Sequence, residues 1–542
     1  MATRRRYGLP KPNDEMVTME RGIFTVDDET AQASGYAYRA INMQRILGDP
    51  VAGWAPRPGL RHSATGQASA RTQGAIEWTD TPPLSGFVTS VVYVTAGVVY
   101  IGGTVQLSQA NITAATAALS TSASIIYITE FADGLVFSDG VNDPFHWDGT
   151  PNGGITLMGN CPPLYGQPVV YYGRFFGIVA EDARRDEIVW SEPNQPNVGY
   201  DAGGYNNAWR LIQNNSGPLY ALAATNTALY FFRESSIGGV WGSVTSAFAT
   251  TGTNEAVVDK GSGCKLPQSV IVVKERVYYM DTAFRPRVIE GFGNPTESQH
   301  PHMWESFEAL HKTLNPNLSL GVPNGHVAYS TALDMVSWVV GIFYSDGYTV
   351  ANEQILVNFD ADTGAYLGYW ALSRNVDAAG WTDIGAIASC SLETVALYLC
   401  HDEHQYTFKT SGTAWNDENS AGTKFSLTHQ IESREMLYDK RAEQTLDEVV
   451  LHWRAFPRPD QGFTSAWSND VHIVTPNGVD ALTTSNATLA SSLRDVLGAD
   501  SHGRWFRVRV TLRPTTLSQI PSVALTGIEA TAYYEDMEVT RE

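Results

Sequence analysis

Tyr220–Gly242 reads YALAATNTALYFFRESSIGGVWG. Two apolar runs flank the polar pair Asn226-Thr227, and a third run starts near Ile237. Aromatic and β-branched residues fill the runs and polar residues mark the turn, which is the pattern of a hairpin followed by another strand. The same grammar recurs. Val91–Val94 and Val98–Ile101 flank Ala96-Gly97, a hairpin-turn signal. Further units hold Ile125–Ile128, Gly134–Gly140 and Pro144–Gly149, then Val169–Tyr172, Arg174–Val179 and Glu187–Ser191, then Val270–Val273, Arg276–Met280 and Arg287–Gly291. Equivalent second strands are expected at Val99, Val136, Phe176, Tyr230 and Tyr278, roughly 37 to 54 residues apart, a period that suits blades of about four strands.

Repeats are expected to begin near residue 86 and to be interrupted once. Pro301–His311 places Trp304, Phe307 and Leu310 on one face of a short helix inserted between blades. Strands resume at Gly325–Tyr329, Val336–Phe343, Gln354–Phe359 and Tyr366–Trp370, and a last unit runs through Ile384–Ser389, Thr394–Cys400 and Gln405–Phe408. The expected architecture is mainly β. An N-terminal arm and extended lead-in (1–80) precedes a β-propeller of six or seven blades (81–411). A Gly/Ser/Asn/Asp-rich linker (412–424) then leads to a C-terminal β-sandwich-like domain (425–542). In that last region Trp505, Arg507, Arg509 and Thr511 alternate with Phe506, Val508, Val510 and Leu512, as in a strand with one wet face.

With 542 residues and a formal charge of −21, the chain carries only 36 Lys and Arg. Tight nucleic-acid binding relies on basic side chains that neutralise phosphates, so this composition argues against it. It leaves room for a surface that repels a sliding polymer. The four cysteines, Cys161, Cys264, Cys390 and Cys400, form no CxxC pair and are read as buried free thiols. The start, with Arg4-Arg5-Arg6, has no apolar segment typical of a secretory signal, and no run is long enough to span a bilayer. Synthesis in a reducing cytosol is expected.

Candidate chemistry is sparse. His300 and His302, with Glu305 or His311, have a spacing that permits a shared metal, but no recognised ligand pattern is completed, and loop and cap roles are expected. Asp139, Asp143, Glu181, Asp182, Asp186 and Glu187 are the acids from which a glycosidase pair would come, though acids at strand turns usually cap backbone. Asp360-x-x-Thr363-Gly364 reads as a propeller turn. There is no phosphate-cradling glycine loop and no G-x-S-x-G. No catalytic, metal or cofactor-binding residues are assigned, and no cofactor is expected.

Asn42-Met43 followed by Arg57-Pro58-Gly59-Leu60 resembles the opening of the tail hub, or nozzle, proteins of short-tailed bacteriophages, also called DNA-stabilisation or tail tubular B-type proteins. Arg174–Val179 with Ile188–Ser191, Ala228–Trp241, Val277–Gly291, Ile355–Trp370, Ser433–Arg441 and Arg504–Leu512 are similar in the same order. The resemblance implies a non-enzymatic, propeller-bearing subunit of a homohexameric ring in the virion tail, assembled in the host cytoplasm. Its partners would be portal and adaptor proteins above, tail fibres or spikes outside, and genome DNA passing through a lumen that does not hold it. A carbohydrate-binding or glycoside-hydrolysing propeller is the alternative.

Overall fold

Strands that neighbour one another in this sequence also pair with one another, so the computed structural model is built from small meanders set in chain order. It describes residues 13–17, 22–23, 36–46, 53–65, 70–80, 88–200, 208–210, 217–241, 255–259, 261–283, 285–290, 313–314, 326–343, 353–371, 384–392, 395–401, 404–409, 417–425, 429–437, 443–455, 467–484, 494–514 and 523–534. The first meander is Thr72–Asp80, Val88–Thr95, Val98–Ile101 and Thr104–Leu107. The second is Tyr127–Phe131, Gly134–Ser138, Phe145–Trp147 and Ile155–Leu157. Leu164–Tyr171, Arg174–Val179, Glu187–Glu192 and Gln195–Gly199 make the third. Leu219–Ala224, Ala228–Arg233, Ile237–Trp241 and Glu255–Asp259 make the fourth. A fifth has three described strands, Ile271–Val273, Arg276–Met280 and Pro286–Glu290. The sixth is Val327–Ser330, Met335–Phe343, Glu353–Asp360 and Tyr366–Trp370.

The seventh is made differently. Ile384–Ala388, Val395–His401 and His404–Lys409 supply three strands, and Gly59–Thr65, from far upstream, supplies the fourth. The first strand of each sheet touches the first strand of the next, and Ile384–Ala388 of the seventh returns to Thr72–Asp80 of the first. Seven sheets around one axis, closed by an N-terminal strand on the last of them, are a seven-bladed β-propeller.

Aromatic rings fill the wedges between blades, because the gap between radiating sheets widens outward and large rings occupy it well. Trp78 of blade one sits 5.7 Å from Trp147 of blade two, and Phe232 of blade four 5.1 Å from Tyr279 of blade five. Tyr230, central to the opening stretch, is 1% exposed. The Ala96-Gly97 turn is present, with both residues at positive φ (49° and 69°), the mirror-image turn that suits the twist of a hairpin.

Three details differ from expectation. Blade one starts at Thr72, not near 86, and Val99 therefore lies on its third strand. The innermost strand escapes notice because it is built for close approach. A Cβ at Gly74 would lie 2.1 Å from the Ile126 carbonyl oxygen, where Ile126 N–H donates to Gln73 C=O (2.8 Å). The α-helix found among the described residues is Gln109–Ala114, which was not anticipated. The helix expected at Pro301–His311 lies outside the described residues.

The C-terminal strands form two sheets that share one core, and residues 36–46 and 53–56 contribute strands to both. Tyr36–Ile41 pairs with His429–Ser433, which continues through Arg507–Pro514 and Trp467–Thr475 to Gly478–Thr484. Met43–Ile46 and Gly53–Pro56 join the other sheet beside Val523–Tyr534, Gln444–Ala455 and Arg494–Gly503. Asn13–Val17 also pairs with Val523–Tyr534. Alternation along Arg507–Pro514 follows the expected pattern, with Phe506, Val508, Val510 and Leu512 buried. The other face is not simply wet. Buried Glu432 accepts from Arg507 (3.3 Å) and Arg509 (2.8 Å), and the Arg507 guanidinium stacks 3.9 Å from the Tyr38 ring.

Candidate functional site

Asn42 is the corner at which the chain passes from one sandwich sheet to the other. Its φ is 54°, a left-handed conformation that Asn tolerates better than most residues. Its N–H donates to Tyr369 C=O and its C=O accepts from Arg57 N–H, both at 2.9 Å. Trp370 Nε1 donates to Met43 C=O (2.9 Å). The corner is thereby fastened to the last strand of blade six.

Arg57 fills the space behind it. Its guanidinium donates to Asn42 Oδ1 (3.2 Å), Pro58 C=O (2.7 Å), Ala371 C=O (3.1 Å) and Asp417 Oδ2 (2.8 Å). The other Asp417 oxygen accepts Leu60 N–H at 2.9 Å. Arg57 and Asp417 side chains are both 0% exposed. Phe408 of blade seven lies 5.4 Å below the guanidinium. One cluster thus ties together the sandwich corner, blades six and seven, and Asp417, which belongs to a segment expected to be a solvated linker.

His429 begins the adjoining strand. It is 1% exposed, and neither ring nitrogen has a hydrogen-bond partner. Burial, reinforced by the nearby Arg57 charge, pushes its pKa down to about 3, so the ring stays neutral. The hydrophobic core around this joint is continuous, running from Tyr278 and Trp338 through Leu60, Trp370 and Phe408 to Ile431, Val510 and Leu525.

A second feature is the propeller axis. The first strands surround a cavity of about 380 Å³, to which all seven blades contribute. Ile76, Ile128, Val169, Leu222, Val272 and Ile387 give it apolar walls, interrupted by Gln167, Gln268, Glu77 and His326. His326 is 8% exposed, and its Nε2 has no partner. Burial, with a smaller push from Arg71, lowers its pKa to about 3.

Of the acids singled out in the sequence, Asp139 and Glu187 are engaged by hydrogen bonds, Glu181 shares Arg184 with Glu187 (3.9 Å), and Asp182 is exposed. Asp139 caps the turn after Gly134–Ser138, accepting from the N–H groups of Val141 (2.9 Å), Asn142 (2.8 Å) and Ser120 (2.7 Å). Glu187 takes both arms of Arg184 (2.9 and 2.6 Å), while Asp182 is solvated with its pair to Arg185 at 3.8 Å. Asp360 closes its turn by accepting Thr363 N–H and Oγ1, both at 2.6 Å, and also pairs with Arg45. His300, His302, Glu305 and His311, like Arg4–Arg6, lie outside the described residues.

The four thiols are free and buried, as expected. Burial raises Cys264 and Cys390 to about 11 and Cys400 to about 12, which keeps them protonated and unreactive. Among the described residues, no group of three His, Cys, Asp or Glu is placed to hold a metal, and no helix is long and apolar enough to cross a membrane.

The sequence marked Arg57 and Asn42 but not Asp417. Acidic residues in a polar, glycine-rich run read as solvated, and only a partner about 360 positions away reveals otherwise.

No family model and no curated protein matches the chain. Solved structures similar to it include the N-terminal domain of Nup159 (8% identity, 68% of this chain and 99% of that one, TM-score 0.33). Kluyveromyces lactis Hsv2 is another (12% identity, 53% and 74%, TM-score 0.30). An exo-beta-1,3-galactanase from Phanerochaete chrysosporium, solved with galactose, aligns over 96% of this chain and all of its own at 7% identity and TM-score 0.24. At these identities and scores no ligand or activity transfers from any of them to this chain.

Proposed function

We propose that this chain is an architectural subunit of a bacteriophage tail hub, assembling as a ring, a hexamer by the family resemblance, around the path of the genome. One observation carries the reading. Several of the separate stretches behind the resemblance, those holding Asn42-Met43, Arg57, Tyr369-Trp370, Ser433 and Val508, are bonded to one another at and beside the joint between propeller and sandwich. Asn42 and Met43 bond to Tyr369 and Trp370, Arg57 bonds to Asn42, and Ser433 Oγ accepts Val508 N–H at 2.9 Å. Residues that brace two β bodies against each other serve rigidity.

The charge of −21 fits the same role. An acidic lumen repels phosphates and lets DNA pass without condensing on the wall. Portal and adaptor contacts would lie on one end of such a ring, and fibres or spikes on its outside.

Negative-stain microscopy and mass photometry over a concentration series test this directly. Closed rings, together with no retention of duplex DNA at low salt, are the expected result. A chain that stays monomeric at every concentration and releases reducing ends from host polysaccharide would replace this reading with a glycosidase.

A further inference from the structure

Among the described residues, Glu77 is the only charged side chain that lines the axial cavity, and nothing basic answers it. Its Oε2 accepts Ser391 N–H (2.6 Å), and Tyr398 O–H donates weakly to its Oε1 (3.5 Å). Neither partner is a cation. No described Lys or Arg lines the cavity, and His326 is held neutral there. Glu77 is half-buried. A carboxylate in such a place is poorly solvated, and an opposite charge beside it interacts more strongly than it would in bulk water.

A second acceptor stands at the same end. Gln167 donates through Nε2 to Ile128 C=O (3.1 Å) and Thr129 Oγ1 (2.6 Å). These bonds fix the amide and leave its Oε1 without a partner among the described residues. The first strands of the blades run in one direction, as the parallel bridge between Ser330 and Cys390 shows for blades six and seven. Blades one and two are level where Ile126 N–H meets Gln73 C=O and Ile126 C=O approaches Gly74. Three residues further along each strand, Thr129 comes level with Glu77, and Gln167 is bonded to Thr129. Ile76, Val169 and Val272, each half-buried, line the same space with apolar surface.

Size sets a bound on the occupant. An apolar cavity of about 150 Å³ takes up benzene. At about 380 Å³, this one has room for a ring and a short chain. We propose that the axial cavity binds a small organic ammonium ion, with its nitrogen at Glu77 and Gln167 and its apolar body along the walls. An ammonium group carries donors for both acceptors and the charge that Glu77 lacks beside it. A neutral alcohol would supply one donor and leave the carboxylate uncompensated. An anion would meet only repulsion. The cavity lies within one chain, so occupancy does not depend on assembly into a ring.

Equilibrium dialysis of the full chain near neutral pH tests this, with phenethylammonium as the probe and phenethyl alcohol and hydrocinnamate as its uncharged and anionic counterparts. One phenethylammonium per chain is expected, bound at least about tenfold more tightly than the alcohol, with no retention of hydrocinnamate. Glu77→Gln keeps an acceptor for Ser391 N–H. It should weaken the ammonium ion by at least about tenfold and remove its advantage over the alcohol. Val169→Phe puts a ring into the cavity and should abolish binding of both. Should that variant lose its native circular dichroism, Val272→Leu adds less bulk and should still weaken both. No uptake of phenethylammonium, equal binding of the three probes, or a Glu77→Gln variant that binds the ammonium ion as tightly as the parent would overturn the site.

Discussion

Arg57 and Asp417 have both left water, and a buried pair of this kind survives because nearly every donor and acceptor is used. Removing one partner from such a pair costs about 3–5 kcal/mol, since the other charge is left stranded. Two of the buried histidines are a different case. His326 and His429 are held neutral, each with its pKa near 3, by burial first and by Arg71 or Arg57 second. An unfolded imidazole titrates near 6.5, so between about 6.5 and 3 the unfolded chain binds protons that the native chain refuses. Stability is therefore complete above about pH 6.5 and falls with acidity, by up to about 1.4 kcal/mol per pH unit for each ring. Urea unfolding at pH 7, 6 and 5 should show this slope before most carboxylates titrate. The His326→Gln/His429→Gln variant should flatten it; an unchanged slope would mean that neither ring is held neutral by the fold.

At the scale of elements, the inner strands are where sequence reading and fold part company. The second strands at Val136, Phe176, Tyr230 and Tyr278 are dense in aromatic and β-branched residues because both faces pack against neighbouring blades. Innermost strands must instead approach one another, and Gly74 and Gly385 make that approach feasible. A Cβ at Gly385 would sit 2.1 Å from the backbone oxygen of Thr72, across the contact of blades seven and one. Gly385→Val should therefore force the ring apart at its seam, lowering stability by more than about 3 kcal/mol in denaturant unfolding. A near-neutral effect would show that the two strands can separate freely.

The same logic explains the other misses. Tyr36–Ile41 and Gly53–Pro56 are short strands in a Pro- and Gly-punctuated stretch, and each also pairs with a strand hundreds of residues away. Local pattern reveals hairpins, whereas these pairings are set by tertiary contact. Gly59–Thr65 illustrates the point well. Its leading Arg-Pro-Gly reads as a turn, and nothing in the seven residues declares which blade they complete.

For the whole molecule, the joint decides whether there are two mechanical bodies or one. A single hydrogen-bonded path runs from Met335–Phe343 of blade six through Tyr366–Trp370 and Tyr36–Ile41 into His429–Ser433 and the sandwich. The continuous core follows it. Domains sharing so much buried surface unfold together. Calorimetry on the parent chain is expected to give one transition. Asp417→Ala should lower the melting point and divide the trace in two, because it strands Arg57 at the hinge between the bodies. Two transitions already present in the parent would show that the joint does not couple them.

The seam of blade seven also bears on how the protein comes into being. Gly59–Thr65 emerges from the ribosome some 340 residues before His404–Lys409, the strand it must find. During that interval an early strand waits while six blades stack beside it. A prematurely terminated product lacking residues beyond about 400 cannot seal, whatever the quality of its earlier blades. Closure thus acts as a check on translation, completing the propeller only in molecules read far enough to bring both ends of its ring together.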